Sequence, residues 1–595
     1  MNCQTRVGTR RSARPAAILT FLSVLVPLAG AQNKSPVAKP PQRPPRPKLI
    51  VLLVVDQMRA DYVEKFRGQW TGGLKRLVEE GAWFRDAAYP YAATETCVGH
   101  ATISTGALPA THGMISNEWF DRELRKTVAC TDDSKVKNLG YAGASVTGGN
   151  SASKMLVPAF ADELKFQTGS GTRVVTFSLK ARAAITLGGR LADAVTWFEA
   201  EAGAWTTSSA YPVVEFVEEF AKAHPAAGDY GKTWAPMLPA SAYLYDATAT
   251  GAVSPAGLGA AFPHPLGGQQ GSTGPDPVFY SQWETSPYAD TYLTRIAETA
   301  VDKLELGARA GTDFLGVSYS SVDYVGHAFG PRSWEIQDVL ARLDRDLAEL
   351  FRHLDQKVGK GNYVLALSAD HGVVPIPESM QKSGMEAGWL NIESVKERIE
   401  KSLEPFHYAK PAVAEVSASD VYFTPEVYDR LKKDPAALRA VLEAIQSVPG
   451  VARVYRAEEL EDQPGTQSPM LRAEAASFFK ARSGDLLIVP KPYWPWDSST
   501  PASPRQYGTT HGTPHYYDQR VPVLLMGYGI EPGEYFKAIT PADIAPTLAA
   551  LSGITLASRE GRVLAEALKK PVGARLPSRP TRPKSAPAAA PTTNP

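Results

Sequence analysis

Apolar residues along the chain fall into short runs that alternate with segments of helical periodicity. The run 48–55 (KLIVLLVV) is apolar on both faces, which predicts a central strand of a mostly parallel sheet. Further apolar runs predict strands at 173–179, 314–318, 363–367 and 521–526. Segments with apolar residues at helical spacing predict helices at 72–81, 288–306, 333–357 and 541–551. The pattern predicts an α/β fold in which helices flank a mostly parallel central sheet.

Two long regions interrupt this alternation. Residues 184–287 are rich in Gly, Pro, Trp and Tyr and lack regular periodicity, which predicts an insertion covering the sheet. Residues 386–482 carry short strand and helix patterns of their own, and we interpret them as a second insertion. The core is expected to resume at 484–489, so one catalytic domain with two insertions is predicted for 48–570.

The two ends of the chain are typical of processing and disorder. Residues 1–31 combine four Arg, an apolar run at 16–28 and the small residues Ala29-Gly30-Ala31, which predicts a signal peptide cleaved after Ala31. That apolar run is too short for a stable membrane span. Residues 32–47 form a Pro-rich linker, and 571–595 a tail predicted to be disordered. An exported protein, periplasmic or secreted and without a membrane span after cleavage, is predicted.

Charge and cysteine content narrow the function classes. The 595-residue chain has a net charge of +1, and loss of the signal peptide leaves 59 basic against 62 acidic residues. This balance argues against a nucleic-acid partner held by bulk charge. Cleavage also leaves two cysteines, Cys97 and Cys130, which form either a disulfide or two buried thiols.

Acidic and histidine residues follow several predicted strands. These residues are Asp56, Asp323, His327, Asp370 and His371, and a later loop adds His511. Ligands of open α/β sheets bind beyond the carboxyl ends of the strands. Carboxylate and imidazole groups suit zinc, and two such ions can hold the attacking and leaving oxygens of a phosphoryl transfer. Any one of these residues is more often a cap or a core residue, but their joint order indicates a metal site.

The segment 91–117 offers a candidate nucleophile. Thr94 and Thr96 precede a segment of helix-like composition that Gly106 closes. A hydroxyl in the first turn of a helix lies where the backbone N–H groups favour an anion. The alternative is that either threonine is only an N-cap, which threonine often is.

These residues resemble the alkaline phosphatase superfamily, and most closely its nucleotide pyrophosphatase/phosphodiesterase-like branch. The matching motifs are 55–59 (VDQMR), Thr94-Glu95-Thr96, Asn117, 323–327 (DYVGH), Asp370-His371-Gly372 and His511-Gly512. The resemblance implies an alkaline phosphatase-like fold with two zinc ions as cofactors. One zinc would be held by Asp323, His327 and His511. The other would be held by Asp56, Asp370, His371 and the Thr96 hydroxyl. His515 is the alternative to His511, which the glycine that follows it favours.

The resemblance also implies which residues handle the phosphoryl group. Thr96, 21 residues before Asn117, would be the nucleophile, and Asn117 would donate to a phosphoryl oxygen. Lys180 and Arg182 resemble the Lys-x-Arg pair of threonine-nucleophile alkaline phosphatases. Two fixed cations suit a phosphate monoester, which has one more ionised oxygen than a diester. The predicted function is hydrolysis of small phosphate monoesters by an exported two-zinc alkaline phosphatase, through a covalent phosphothreonine on Thr96.

The same sequence suggests three other hypotheses. A sulfatase needs a Cys-x-Pro-x-Arg stretch, whereas Cys97 is followed by Val98-Gly99-His100, which excludes it. A phosphodiesterase or nucleotide pyrophosphatase with the same metals and nucleophile is the main alternative. An exported binding module that has lost catalysis is the alternative from a different class.

Overall fold

The structure is a computed structural model that describes residues 46–254, 257–461, 468–557 and 559–569. The predicted signal peptide, almost all of the linker and the predicted tail at 571–595 lie outside these ranges. Within them, no helix is both long and apolar enough to cross a membrane.

Strands and α-helices alternate along the described chain. The strands are β1 (Leu49–Val55), β2 (Ala82–Phe84), β3 (Glu118–Asp121), β4 (Lys126–Ala129), β5 (Asn138–Gly140), β6 (Val174–Ser178), β7 (Ala194–Glu199), β8 (Ala204–Ser208), β9 (Thr233–Trp234), β10 (His264–Pro265), β11 (Asp313–Tyr319), β12 (Tyr363–Ser368), β13 (Leu390–Asn391), β14 (Val413–Ser417), β15 (Asp420–Phe423), β16 (Val451–Arg456), β17 (Leu486–Pro490), β18 (Trp496–Asp497), β19 (Val523–Gly527) and β20 (Gly533–Tyr535).

The helices include the long segments predicted from periodicity. They are α1 (Ala60–Lys65), α2 (Gly73–Glu80), α3 (Thr96–Thr105), α4 (Pro109–His112), α5 (Phe160–Thr168), α6 (Ala181–Gly188), α7 (Glu215–Ala223), α8 (Pro277–Glu284), α9 (Pro287–Lys303), α10 (Ser321–Phe329), α11 (Trp334–Leu354), α12 (Pro377–Lys382), α13 (Ile392–Leu403), α14 (Val427–Leu431), α15 (Pro435–Gln446), α16 (Ala457–Glu461), α17 (Pro469–Ser477), α18 (Tyr516–Gln519) and α19 (Ile544–Ser552).

A ten-stranded sheet forms the centre of the described chain. Its strand order is β20-β2-β19-β12-β1-β11-β6-β7-β8-β5. The five central strands, from β12 to β7, are all parallel, while β19 and β8 join this block in antiparallel orientation. Every residue of β1 is buried, as expected for a strand covered by helices on both faces. The predicted α/β fold with a mostly parallel central sheet is confirmed.

The extent of the first insertion differs from the prediction. Strands β7 and β8 lie within 184–287, yet both pair into the main sheet. The irregular part therefore begins after β8, near residue 209, and its described residues before α8 include the helix α7 and the two-residue strands β9 and β10. The prediction was wrong here because β7 (AVTWFE) and β8 (AWTTS) mix polar and apolar residues instead of forming a continuous apolar run, and Gly- and Pro-rich chain follows them.

The second insertion extends further than predicted. Strand β17 was expected to return the chain to the main sheet, but it pairs with β15 and β16 in a separate four-stranded sheet. This small sheet has its own hydrophobic cluster with helices α13 and α15. A fully apolar strand such as β17 buries equally well in either sheet, so its local pattern does not reveal its partner.

Candidate metal centre

The carboxyl ends of four neighbouring strands bring most of the candidate residues together. The strands lie in the order β12-β1-β11-β6, and their last residues are level, with Val55 opposite Tyr319 and Ser318 opposite Ser178. Asp56 follows β1 directly, and its backbone N–H donates to the Tyr319 carbonyl at 2.9 Å. The sheet edge therefore fixes the point from which these side chains project.

The first candidate ligand group surrounds Asp323 at the start of α10. Nε2 of His327, one helical turn later, lies 3.3 Å from Asp323 Oδ1, and Nε2 of His511 lies 3.9 Å from the same oxygen. The structure thus brings together all three residues predicted to share one zinc. His371 lies close as well, because its ring stacks on that of His511 with 3.5 Å between centroids.

The second candidate ligand group lies beyond β1 and β12. Nε2 of His371 is 3.5 Å from both Asp56 Oδ1 and Asp370 Oδ2. The Thr96 hydroxyl oxygen is 3.4 Å from the same nitrogen. These four residues are buried and match the set predicted for the other zinc.

The imidazoles are oriented so that each presents Nε2 to the carboxylates. Nδ1 of His327, His371 and His511 lies 2.8–2.9 Å from the backbone carbonyls of Thr509, Gly372 and Thr94 respectively. A carbonyl only accepts, so each Nδ1 carries the proton and each Nε2 is left as a free electron-pair donor.

The residues present fit a bound metal ion. Asp323, His371 and His511 form one group whose ligand atoms lie within 4.8 Å of one another, and Asp56, Asp370 and His371 form another. Asp56 Oδ1 is buried and accepts no hydrogen bond from the described residues. Mixed carboxylate and imidazole donors with such an orphaned oxygen are the donor set that zinc takes.

Burial and mutual repulsion shape the electrostatics of these groups. Burial raises the pKa of Asp56 well above its usual range, and Asp323 and Asp370 add to the shift. Burial acts the same way on Asp323, but Lys180 and His327 outweigh it and hold its pKa well below the usual range. Burial lowers the pKa of His371 and His511, which keeps both imidazoles neutral. Burial and neighbouring charges thus shift the pKa values of Asp56 and Asp323 in opposite directions.

Lys180 contacts both candidate ligand groups through its side chain. Its Nζ is 2.6 Å from Asp56 Oδ2 and 2.5 Å from Asp323 Oδ2, so it joins one carboxylate of each ligand group. The side chain comes from the residue that precedes α6, and Arg182 lies in the first turn of that helix. Arg182 Nε is buried and donates no hydrogen bond within the described chain.

Asn117 is held beside the first turn of α3. Its side-chain carbonyl accepts the Cys97 N–H at 2.9 Å, and its backbone N–H donates to Glu95 Oε2 at 2.6 Å. Cys97 and Cys130 form a disulfide, which decides between the two states left open by the sequence.

Thr94, the alternative nucleophile, and His515, the alternative metal ligand, each lie within hydrogen-bond distance of a backbone carbonyl. The Thr94 hydroxyl donates to the Thr513 carbonyl at 3.0 Å. His515 Nε2 lies 3.0 Å from the Pro490 carbonyl, which directs it away from the carboxylates.

Two further residues contact the ligand groups: Gln57 contacts both groups, and His100 contacts the second. Gln57 donates from its backbone N–H to Asp370 at 3.0 Å and from Nε2 to Asp323 at 2.6 Å. Its φ of 65° is rare for a residue with a side chain. His100 lies 3.2 Å from Asp370 and 2.8 Å from the Thr96 carbonyl. Gln57 directly follows Asp56, and His100 lies one helical turn after Thr96, which is the signal that pointed to both.

Known proteins match this chain over most of its length, including the segments that carry the candidate ligands. A family model for type I phosphodiesterase / nucleotide pyrophosphatase matches residues 50–516. Alkaline phosphatase PafA of Elizabethkingia meningoseptica is 33% identical over 555 residues, which cover 91% of this chain and 97% of that protein. Alkaline phosphatase PhoV of Synechococcus elongatus is 32% identical over 562 residues, with coverage of 91% and 97%. A crystal structure of wild-type PafA has a TM-score of 0.78 and 31% identity, and the match covers 88% of this chain and 99% of that one.

Proposed function

The chain belongs to the type I phosphodiesterase / nucleotide pyrophosphatase family and is a phosphatase hydrolase, and we propose that it is an exported two-zinc alkaline phosphatase that hydrolyses phosphate monoesters through Thr96. The observation that carries this proposal is the position of Thr96. Its hydroxyl oxygen lies 3.4 Å from His371 Nε2 at the start of α3, and α3 packs against α6, which carries Arg182 and directly follows Lys180.

The chain's own residues account for binding of the phosphoryl group. The N-terminus of α3 presents backbone N–H groups and the positive end of the helix dipole to an anion. Asn117 has a side-chain amide with its carbonyl already engaged by Cys97, which leaves the NH₂ group to donate to a phosphoryl oxygen. Arg182 offers a buried guanidinium N–H with no partner in the described chain.

Thr96 then attacks phosphorus, and the bond from phosphorus to the leaving oxygen breaks. Two zinc ions bound by Asp323, His327 and His511 and by Asp56, Asp370, His371 and Thr96 would supply the positive charge that lowers the hydroxyl pKa and stabilises the leaving oxygen. Asn117, Lys180 and Arg182 stabilise the charge on the equatorial oxygens. Water attacks the resulting phosphothreonine, releases phosphate and restores the Thr96 hydroxyl.

The charge at the site favours a monoester over a diester. A monoester dianion gains from two fixed cations, whereas a diester presents an uncharged substituent in place of one ionised oxygen. The similarity to PafA and PhoV, both called alkaline phosphatases, supports the same choice.

The double variant Lys180→Ala/Arg182→Ala tests this choice. We expect kcat/KM for a phosphate monoester to fall at least about a hundredfold, because charge stabilisation in the transition state is lost. The loss for a matched diester with the same leaving group should be much smaller. The measurement is kcat/KM for both substrates on zinc-loaded wild-type and variant protein.

Two outcomes of this experiment would favour the main alternative. If the wild-type protein hydrolyses the diester faster by a wide margin, the enzyme is a phosphodiesterase. If both substrates lose the same factor in the variant, the two cations do not select for the monoester. The hypothesis of a non-catalytic binding module has no support, since the candidate nucleophile and ligand residues are all brought together.

A further inference from the structure

The hydrogen-bonding groups of Asn117 are almost completely used by three neighbours. Its backbone N–H donates to Glu95 Oε2 at 2.6 Å, and its backbone carbonyl accepts the Cys130 N–H at 2.9 Å. Its side-chain carbonyl accepts the Cys97 N–H at 2.9 Å. Only the side-chain NH₂ group is left for a ligand, so these contacts determine both the position and the orientation of that donor.

The two cysteines that hold Asn117 are joined to each other. The disulfide links Cys97 to Cys130, and both residues are fully buried. One cysteine fixes the side chain of Asn117 and the other fixes its backbone. The disulfide and the two hydrogen bonds to Asn117 therefore connect Asn117, Cys97 and Cys130 in a closed ring. Cys97 directly follows the candidate nucleophile Thr96.

The element that carries Asn117 is a hairpin whose flanking residues make further contacts, since Ser116 donates to Glu95 at 2.9 Å and the Ser151 N–H donates to the Thr131 carbonyl at 2.9 Å. Asn117 precedes β3, and Cys130 follows β4. These two strands form a separate two-stranded sheet, and such a hairpin is marginally stable alone. The hairpin is also anchored by buried Trp119 under Arg482, by Phe120, whose ring lies 5.7 Å from that of Tyr422, and beyond β3 by the ion pair of Arg122 with Asp485. Loss of the disulfide would thus remove the covalent link between the residues that hold Asn117, while the packing of Trp119 and Phe120 keeps the hairpin in place.

We infer that the Cys97–Cys130 disulfide and Glu95 are positioning groups for catalysis, which hold the Asn117 amide at a fixed distance from the Thr96 hydroxyl. This inference rests on the proposed function, in which Asn117 donates to the phosphoryl group. A donor aimed in advance stabilises developing charge without reorganisation, whereas a mobile donor loses part of that benefit. The disulfide thus acts on phosphoryl transfer through one named residue.

A double-mutant cycle separates this role from a general effect on stability. The four zinc-loaded proteins are wild type, Cys130→Ala, Asn117→Ala and the combined variant. For each, kcat/KM is measured with one phosphate monoester, together with the inhibition constant of inorganic phosphate. Thermal unfolding of each protein shows how far the fold is affected.

The expected result is a strong coupling between the two sites. Asn117→Ala should lower kcat/KM about a hundredfold, and Cys130→Ala about tenfold, as a partial loss of the same donor. Cys130→Ala should also weaken inhibition by phosphate. In the Asn117→Ala background the loss of the disulfide should change either quantity by no more than about twofold.

Other results would overturn the inference in distinguishable ways. If Cys130→Ala costs the same factor in both backgrounds, the disulfide acts on the fold alone and the proposed function stands. If Asn117→Ala leaves kcat/KM unchanged, the phosphate-binding role of Asn117 is wrong as well. Should Cys130→Ala not fold, the same comparison is made by reducing folded wild type and Asn117→Ala with a phosphine, and equal losses in the two proteins would again contradict the inference.

Discussion

Thr96 is the residue on which the proposed chemistry depends, and its surroundings distinguish it from its neighbour Thr94. The Thr96 hydroxyl lies 3.4 Å from His371 Nε2, whereas the Thr94 hydroxyl donates to a backbone carbonyl. Both are fully buried threonines two residues apart. In the sequence, only the spacing to Asn117 favours Thr96 over Thr94. The difference comes from where α3 begins, at Thr96.

Thr96→Ala should abolish turnover without emptying the metal site. We expect kcat for a phosphate monoester to fall at least about a thousandfold, because the attacking oxygen is removed. Zinc content should stay close to that of wild type, since the carboxylate and histidine ligands remain. The measurements are kcat and the zinc-to-protein ratio.

The matched control for this variant is Thr94→Ala, which removes the same atoms two residues away. It should cost less than about tenfold in kcat, mainly through the hydrogen bond to Thr513. A reversal, in which Thr94→Ala is inactive and Thr96→Ala is active, would assign the nucleophile to Thr94.

Other residue roles were predictable only in part. The ligand types followed from acids and histidines placed after apolar strands, because parallel strands end at one edge of a sheet. The contacts of Gln57 and His100 with Asp370 could not be predicted, because each joins segments that are distant in the sequence. Lys180 shows the same limit, since its ion pairs with Asp56 and Asp323 depend on the order of strands in the sheet.

At the scale of elements, the approach of α3 to the end of β12 sets the position of the nucleophile. Gly99 lies in the first turns of α3, and a Cβ there would be 2.1 Å from the Asp370 carbonyl oxygen. This contact is backbone against backbone, so neither side can relax by a rotamer change. The close approach is what places Thr96 next to His371, the residue that follows Asp370.

Gly99→Ala should therefore displace α3 from the ligand groups. We expect kcat/KM to fall at least about tenfold, since small misplacements of reacting groups are costly. Thermal stability should fall as well, because overpacking typically costs about 1–3 kcal/mol. Gly68→Ala is the control, as a Cβ at Gly68 meets nothing within 4 Å. Equal behaviour of the two variants would show that α3 does not depend on this approach.

Most elements of the central block were predictable because burial on both faces leaves a continuous apolar run, as in β1, β11 and β12. The partner of such a strand was not predictable where two sheets were available. Strand β17 has the same character as β12, yet it belongs to the small sheet of the second insertion. The predicted boundary of the first insertion was wrong for a related reason. Strands β7 and β8 are recognised only by their pairing with β6 and with each other.

For the whole molecule, the fold gathers three buried carboxylates whose negative charge a bound cation would stabilise. Asp56, Asp323 and Asp370 are each at most 2% exposed, and they come from three neighbouring strands. Lys180 is the buried cation that contacts two of them. Ionised carboxylates without compensation are costly in an interior, so zinc binding and the folded state should support each other.

The proposed function requires that phosphoryl transfer proceeds by two successive displacements, first by Thr96 and then by water or another acceptor. Each in-line displacement inverts the configuration at phosphorus, so two displacements restore it. The most direct test is the steric course of transfer from a monoester with a chiral, isotope-labelled phosphoryl group to an acceptor alcohol, catalysed by the zinc-loaded wild-type protein. Thr96 as covalent nucleophile predicts retention of configuration. Inversion would show a single direct displacement and would contradict the account.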